Sequence, residues 1–210
     1  MLNILVADDH EVVRKGLVKV LAEALQPIKI EEARTGLEAL SKVWKSEYDL
    51  VVLDIKMPGK GGLDVLKEIK QHKPKLPVLI LSMHPVEQFA IRALRAGASG
   101  YLTKECASDE LSLAIRKALK GERYISESLA QILAGDLNSD LEKPLHEILS
   151  DREYQVMLMI ASGKPVGAIA KELCLSAKTI SSYRTNILLK TGMKNNAEIT
   201  HYAIQNNLVD

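Results

Sequence analysis

Hydrophobic positions in the first part of the chain follow two alternating patterns. Short apolar runs rich in β-branched residues and bounded by turn formers mark strands. Strands are predicted over Ile4 to Ala7, Ile28 to Ala33, Leu50 to Leu53 and Val78 to Leu81, with a short fifth at Tyr101-Leu102. Between them, apolar residues recur at helical spacing. Val13, Leu17, Leu21 and Ala24 mark a helix that stops before Pro27. Gly36 to Ser46 is predicted helical with Leu37, Leu40 and Trp44 on one face, and Leu63 to His72 with Leu63, Leu66 and Ile69 inward. A helix over Val86 to Ala96 ends at Gly97, and Ser108 is expected to cap one whose buried stripe is Leu111, Ile115 and Leu119. A βα unit repeated in this way implies a parallel sheet with helices on both faces and right-handed crossovers.

The pattern changes after Gly121. A turn and then a helix from near Ser126 are predicted up to Ala134. Gly135 to Pro144, GDLNSDLEKP, is polar and turn-rich and reads as an inter-domain linker. Beyond it only helical spacing remains. Ser150 with Glu153 forms a capping box, and the helix it opens ends at Gly163. Pro165 opens a second helix with Ile169, Ala170 and Leu173 inward, and Cys174-Leu175 is a tight turn. Ser176 caps a third helix, whose inward stripe is Ile180, Tyr183, Ile187 and Leu188, and which closes at Gly192. Asn195 caps a fourth. The expected division is an α/β domain over 1–121, a connector with a short helix over 122–146, and an all-α domain over 147–210.

All strand ends of a parallel sheet face one edge, where open α/β sheets hold their ligands. Asp8, Asp9, Asp54, Ser82 and Lys104 all lie at or just past those ends. Three gathered carboxylates repel one another and resist ionising. A hard cation with oxygen ligands resolves this, and Mg²⁺ suits a shallow site that keeps several waters. With the ammonium of Lys104 and the hydroxyl of Ser82, the pocket fits a phosphoryl group. His10 and His84 lie near it; a surface turn is the plainer reading for His10.

Asp8-Asp9, Asp54, Ser82, Tyr101 and Lys104, placed in five βα units, resemble the receiver domain of two-component response regulators. The resemblance implies a flavodoxin-like sheet of order 2-1-3-4-5. It implies that Asp54 accepts the phosphoryl group and that Lys104 pairs with its oxygens, with Ser82 and Tyr101 as the switch pair. It also implies Mg²⁺ held by Asp9, Asp54 and the backbone carbonyl of Lys56, with Asp8 assisting through metal-bound water. Two residues depart from the family pattern. Gly61 stands where many relatives carry an acidic residue, and Glu105 where many carry proline.

Two short helices joined by a tight turn, the second with a polar outer face, suggest a helix-turn-helix. The stretch LSDREYQVMLMIASGKPVGAIAKELCLSAKTISSYRTNIL resembles the LuxR-type DNA-binding domain. Joined to a receiver, it is similar to the NarL/FixJ family of response regulators. By family position, Ser181, Ser182 and Thr185 are expected at base edges, and Lys178, Thr179 and Arg184 at phosphates. Ala197, Thr200, Ala203 and Ile204 are expected in a dimer contact. The resemblance implies a sensor histidine kinase and double-stranded DNA as partners, and a homodimer when phosphorylated.

Composition narrows this little. The chain has 210 residues, 47% hydrophobic and 26% charged, and its net charge of +1 names no partner. One Phe and one Trp argue against an aromatic platform for single-stranded nucleic acid. Residues 149–210 hold seven Lys/Arg against five Asp/Glu, so one copy is expected to bind DNA weakly and two copies on paired half-sites. No apolar run approaches membrane-spanning length. MLNILVADDH lacks the marks of a signal peptide, and Cys106 and Cys174 lack metal-ligand spacing, so a cytoplasmic protein is expected. A dehalogenase-type phosphotransferase needs a second Asp two residues past Asp54, where Lys56 stands. Beyond its own phosphotransfer and slow dephosphorylation, no enzyme activity is expected.

Overall fold

The computed structural model describes residues 1–25, 27–106, 108–138 and 144–209. They fall into two compact units, Met1–Leu137 and Asn138–Asp210.

The first unit is built on five parallel strands: β1 (Leu2–Ala7), β2 (Ile28–Ala33), β3 (Leu50–Leu53), β4 (Val78–Ser82) and β5 (Gly100–Thr103). Their order is β2-β1-β3-β4-β5, as the resemblance implied. Strand β3 lies in the centre, and all four of its residues are buried, which is why it reads as an unbroken apolar run. The strands alternate with α1 (Glu11–Ala24), α2 (Gly36–Lys45), α3 (Gly62–His72), α4 (Val86–Arg95) and α5 (Ser108–Leu119). Ser108, expected to cap α5, is its first residue. Helix α2 corrects the expectation. It buries Ala39, Leu40 and Val43, while Leu37 and Trp44 are 65% and 41% exposed. Trp44 leans instead on the ring of His72 at the end of α3, with centroids 5.0 Å apart.

The first unit also continues past the expected boundary at 121. Tyr124 donates its N–H to the Ser99 carbonyl (2.7 Å) and bridges Gly100 in parallel, so the chain runs along the outer edge of β5. Its side chain joins the buried core, and its hydroxyl donates to Glu110 (2.9 Å). Helix α6 (Glu127–Asn138) follows, with Leu129 fully buried. It takes up the start of the expected linker, Gly135 to Pro144, of which residues 139–143 lie outside the described residues.

The second unit holds a 3-10 turn (Leu145–Ile148), then α7 (Asp151–Ala161), α8 (Val166–Glu172), α9 (Ala177–Thr191) and α10 (Asn196–Gln205). Both halves of the Ser150–Glu153 capping box form. Helix α7 is buried on nearly every side, the polar Asp151, Glu153 and Gln155 of its first turns included. Cys174 takes φ +53° in the tight turn between α8 and α9, and Gly192 ends α9 at φ +73°. His146, silent in the sequence, lies with its Nδ1 2.9 Å from the Tyr202 hydroxyl and so ties the 3-10 turn to α10. Among the described residues, no helix is long and apolar enough to cross a membrane.

Candidate functional site

Strand register assembles the first site. Ala7 pairs with Leu53, so the next residues, Asp8 and Asp54, emerge side by side. The Asp54 N–H donates to the Ala7 carbonyl (2.9 Å) and fixes that step. Ser82 pairs with Thr103, and the Lys104 N–H donates to the Ser82 carbonyl (2.8 Å). The Lys104 ammonium thereby reaches across the sheet edge, 2.6 Å from Asp54 Oδ2 and 2.7 Å from Asp8 Oδ2. All three side chains are almost fully buried. Asp9 is exposed, and the Lys56 N–H donates to Asp54 Oδ1 (3.2 Å).

Burial, opposed by Lys104 and reinforced by the neighbouring charge of Asp8, pushes the Asp54 carboxyl up to about 6 from an ordinary 3.8. Burial acts against the Lys104 ammonium too, but Asp54 and Asp8 outweigh it and hold its pKa above the usual value. One cation thus serves two carboxylates. Ligand atoms of Asp8, Asp9, His10 and Asp54 all lie within 4.8 Å of one another. This oxygen-rich, negatively charged group fits a hard divalent cation such as Mg²⁺; the His10 nitrogen is its least suited donor. His10 is closer to the acid pair than a plain surface turn requires. Its N–H donates to Asp8 Oδ1 (2.8 Å), and its Nδ1 lies 2.9 Å from Asp9 Oδ1.

Ser82 and Tyr101 are both fully buried and meet on the backbone of one residue, His84. The His84 N–H donates to Ser82 Oγ (3.1 Å), and the Tyr101 hydroxyl donates to the His84 carbonyl (2.8 Å). The His84 ring contacts Gln88 and Phe89 of α4, so this loop is anchored on the helix that follows it.

Sequence reasoning missed three supports of this site. Arg14 is buried, donates to the Asp8 carbonyl (2.9 Å) and pairs with Glu32 (2.6 Å), bracing the turn that carries the acidic pair. Its signal was position: it falls three before Leu17 and seven before Leu21, on the core stripe of α1. Gly62 lies so close to Asp54 that a Cβ there would stand 2.0 Å from the Asp54 carbonyl oxygen. The role of the His84 backbone has no sequence signal at all, because any residue supplies the same N–H and C=O.

In the second unit, Lys178, Ser181, Ser182 and Thr185 are exposed along α9, and Thr179 is half-buried. Ser181, Ser182 and Thr185 donate their hydroxyls back to the carbonyls of Ala177, Lys178 and Ser181, at 3.0, 3.1 and 3.0 Å. The Thr179 N–H donates to the cap Ser176 (3.0 Å). Arg184 donates from Nε to Asn196 (2.6 Å), which ties α9 to the first turn of α10. On α10, Ala197 and Ile204 are exposed and Thr200 half-buried. Ala203 corrects the expectation: it is fully buried in its own bundle, and the exposed member of the stripe is His201.

A five-stranded receiver-like unit with an acidic pocket, followed by a helix-turn-helix unit, defines the class. The family model of the response regulator receiver domain matches residues 4–116, and that of the bacterial regulatory proteins of the luxR family matches residues 147–203. The response regulator GacA of Pseudomonas viridiflava is 36% identical, with 100% of this chain and 99% of the relative covered. UvrY of Escherichia coli K12 is also 36% identical, with 99% and 96% covered. RcsB of Salmonella enterica serovar Typhimurium, solved bound to the promoter rprA with the phosphomimetic BeF3⁻, matches with TM-score 0.64 at 28% identity, covering 96% of this chain and 98% of that one. The chain belongs to the two-component response regulators of the NarL/FixJ family, in which a receiver is joined to a LuxR-type DNA-binding domain that regulates transcription.

Proposed function

We propose that Asp54 accepts a phosphoryl group from a sensor histidine kinase and that this controls DNA binding by the second unit. A carboxylate oxygen of Asp54 bonds to phosphorus as the phosphohistidine N–P bond breaks, and the leaving imidazole takes up a proton. With a pKa of about 6, Asp54 is mainly ionised at neutral pH and able to attack. The side chains of Asp9 and Asp54 and the carbonyl of Lys56 would hold Mg²⁺, with Asp8 assisting. The ion, when bound, supplies positive charge to the carboxylates and to the phosphoryl oxygens. Lys104 pairs with those oxygens, and the Ser82 hydroxyl turns toward them. That movement acts on the His84 backbone, to which Tyr101 is also bonded, and so reaches α4.

For the output, Ser181, Ser182 and Thr185 read base edges, and Lys178, Thr179 and Arg184 position the domain on phosphates. The phosphorylated protein acts as a homodimer, with Ala197, Thr200 and Ile204 of α10 in the contact, and it works in the cytoplasm. The structure of two RcsB dimers bound to two parallel DNAs supports this mode by analogy.

The observation that carries the reading is the Lys104 ammonium held between Asp8 and Asp54 at one sheet edge. Incubation with a small-molecule phosphodonor and Mg²⁺, followed by mass spectrometry, is expected to place one acyl phosphate on Asp54. Asp54→Asn should take up no label; label persisting at full level would overturn the assignment.

A further inference from the structure

Helix α9 carries one large apolar side chain that its own bundle does not use. Leu189 is 76% exposed, whereas its neighbour Leu188 is half-buried on the inward side. A single exposed leucine is unremarked on most surfaces. This one is distinguished by its position. Lys178, Ser182, Thr185 and Leu189 are spaced four, three and four apart, so they form one line along the helix. Leu189 therefore continues the same line of side chains that faces DNA in the function proposed above, on which this inference rests.

Beyond Lys178, that line is short of donors. The Ser181, Ser182 and Thr185 hydroxyl protons are directed into the helix, leaving acceptor lone pairs and the exposed Leu189 side chain for a ligand. The major groove presents one apolar group, the C5 methyl of thymine. With a rise of about 1.5 Å per residue, Leu189 stands roughly 10 Å beyond Ser182, or about three base pairs. We propose that Leu189 is a specificity-determining residue that packs on a thymine methyl in the major groove. It sets a preference for thymine about three base pairs from the pair met by Ser182.

The test uses full-length protein activated with beryllofluoride and Mg²⁺, at one stated salt concentration. Duplexes are first selected from a random library. Each thymine in the selected site is then replaced by deoxyuridine, which removes only the methyl. Wild type should lose about fourfold in affinity at a position read by Leu189, the usual effect of one buried methyl. Leu189→Ala should bind the thymine site about fourfold more weakly and become indifferent to uracil at that position alone. Leu189→Met, which keeps an apolar tip, should retain the penalty. If Leu189→Ala keeps every uracil penalty, or binds as wild type does, Leu189 does not read DNA and the proposal is overturned. If wild type selects no duplex, the recognition helix itself is wrong and the inference falls with it.

Discussion

Two carboxylates, one in each unit, sit buried beside a lysine and are shifted in opposite directions. Asp54 lies 2.6 Å from Lys104 and is raised to about 6; Glu153 lies 2.7 Å from Lys190 and is held below the ordinary carboxylate range. Burial works to raise both. Around Glu153 it is outweighed by hydrogen bonds from Lys190 and from the Ser150 N–H and hydroxyl, at the positive end of α7. Around Asp54 it prevails, because Lys104 is shared with Asp8. The structural carboxylate is saturated with donors. The reactive one is left short of positive charge, which is the condition in which a cation and a phosphoryl group find partners.

The two units also differ in how tightly a glycine is enclosed. Gly62 packs against the Asp54 backbone, and its N–H donates to the Ile55 carbonyl (2.8 Å). Gly62→Ala forces that contact apart and is expected to cost about 4 kcal/mol, with loss of phosphorylation. In the second unit Gly167, inside α8, has nothing within 4 Å of the place a Cβ would take. Gly167→Ala should gain about 0.5 kcal/mol from helix propensity. Urea unfolding of both variants measures the contrast; equal effects would mean that the pocket is not held from behind.

Replacing Asp54 itself separates charge from packing. A carboxyl whose pKa is raised by folding favours the native state below its ordinary 3.8, and that advantage is lost as pH rises through about 6. Asp54→Asn removes the loss. Without Mg²⁺, the variant should therefore be more stable than wild type by about 3 kcal/mol at pH 8, with the gain fading to nothing near pH 4. Trp44, the single tryptophan, reports unfolding of the first unit alone. A variant less stable than wild type at pH 8 would show that Lys104 satisfies both carboxylates after all.

The pocket was legible in the sequence because each of its chemical residues follows directly on an apolar strand. Parallel topology then determines where Asp8, Asp54, Ser82 and Lys104 meet. What stayed hidden depends on contacts between distant positions. Tyr124 looked like part of a connector, yet it closes the outer edge of β5 against Gly100, where a Cβ would stand 3.0 Å from the Tyr124 carbonyl oxygen. Leu37 and Trp44 share a helical face, but the stripe that is buried is Gly36, Ala39, Leu40 and Val43. Ala203 reads equally well as an inward or outward residue, since alanine suits both. The exposed face of α9 was identifiable as a face, but its hydroxyls accept or donate and so name no base.

The saturated side of the comparison is tested by removing charge alone. Glu153→Gln keeps an acceptor at the third position of α7, where Gln also completes a capping box, so the cap survives and only the charge is lost. Lys190 is 44% exposed, and solvent screens much of its attraction. The cost should be about 1 kcal/mol at pH 7, smaller at high salt. A carboxyl whose pKa is lowered by folding contributes stability that is complete above its ordinary value of 4.5 and lost as pH falls through the lower folded value. Wild type should therefore lead the variant at pH 7 and lose that lead in acid below 4.5, the reverse of the trend at Asp54. Hydrogen exchange of the α7 amides, which follows the second unit by itself, reads the difference. A lead that grows as pH falls would mean that burial, and not the ring of donors, governs Glu153.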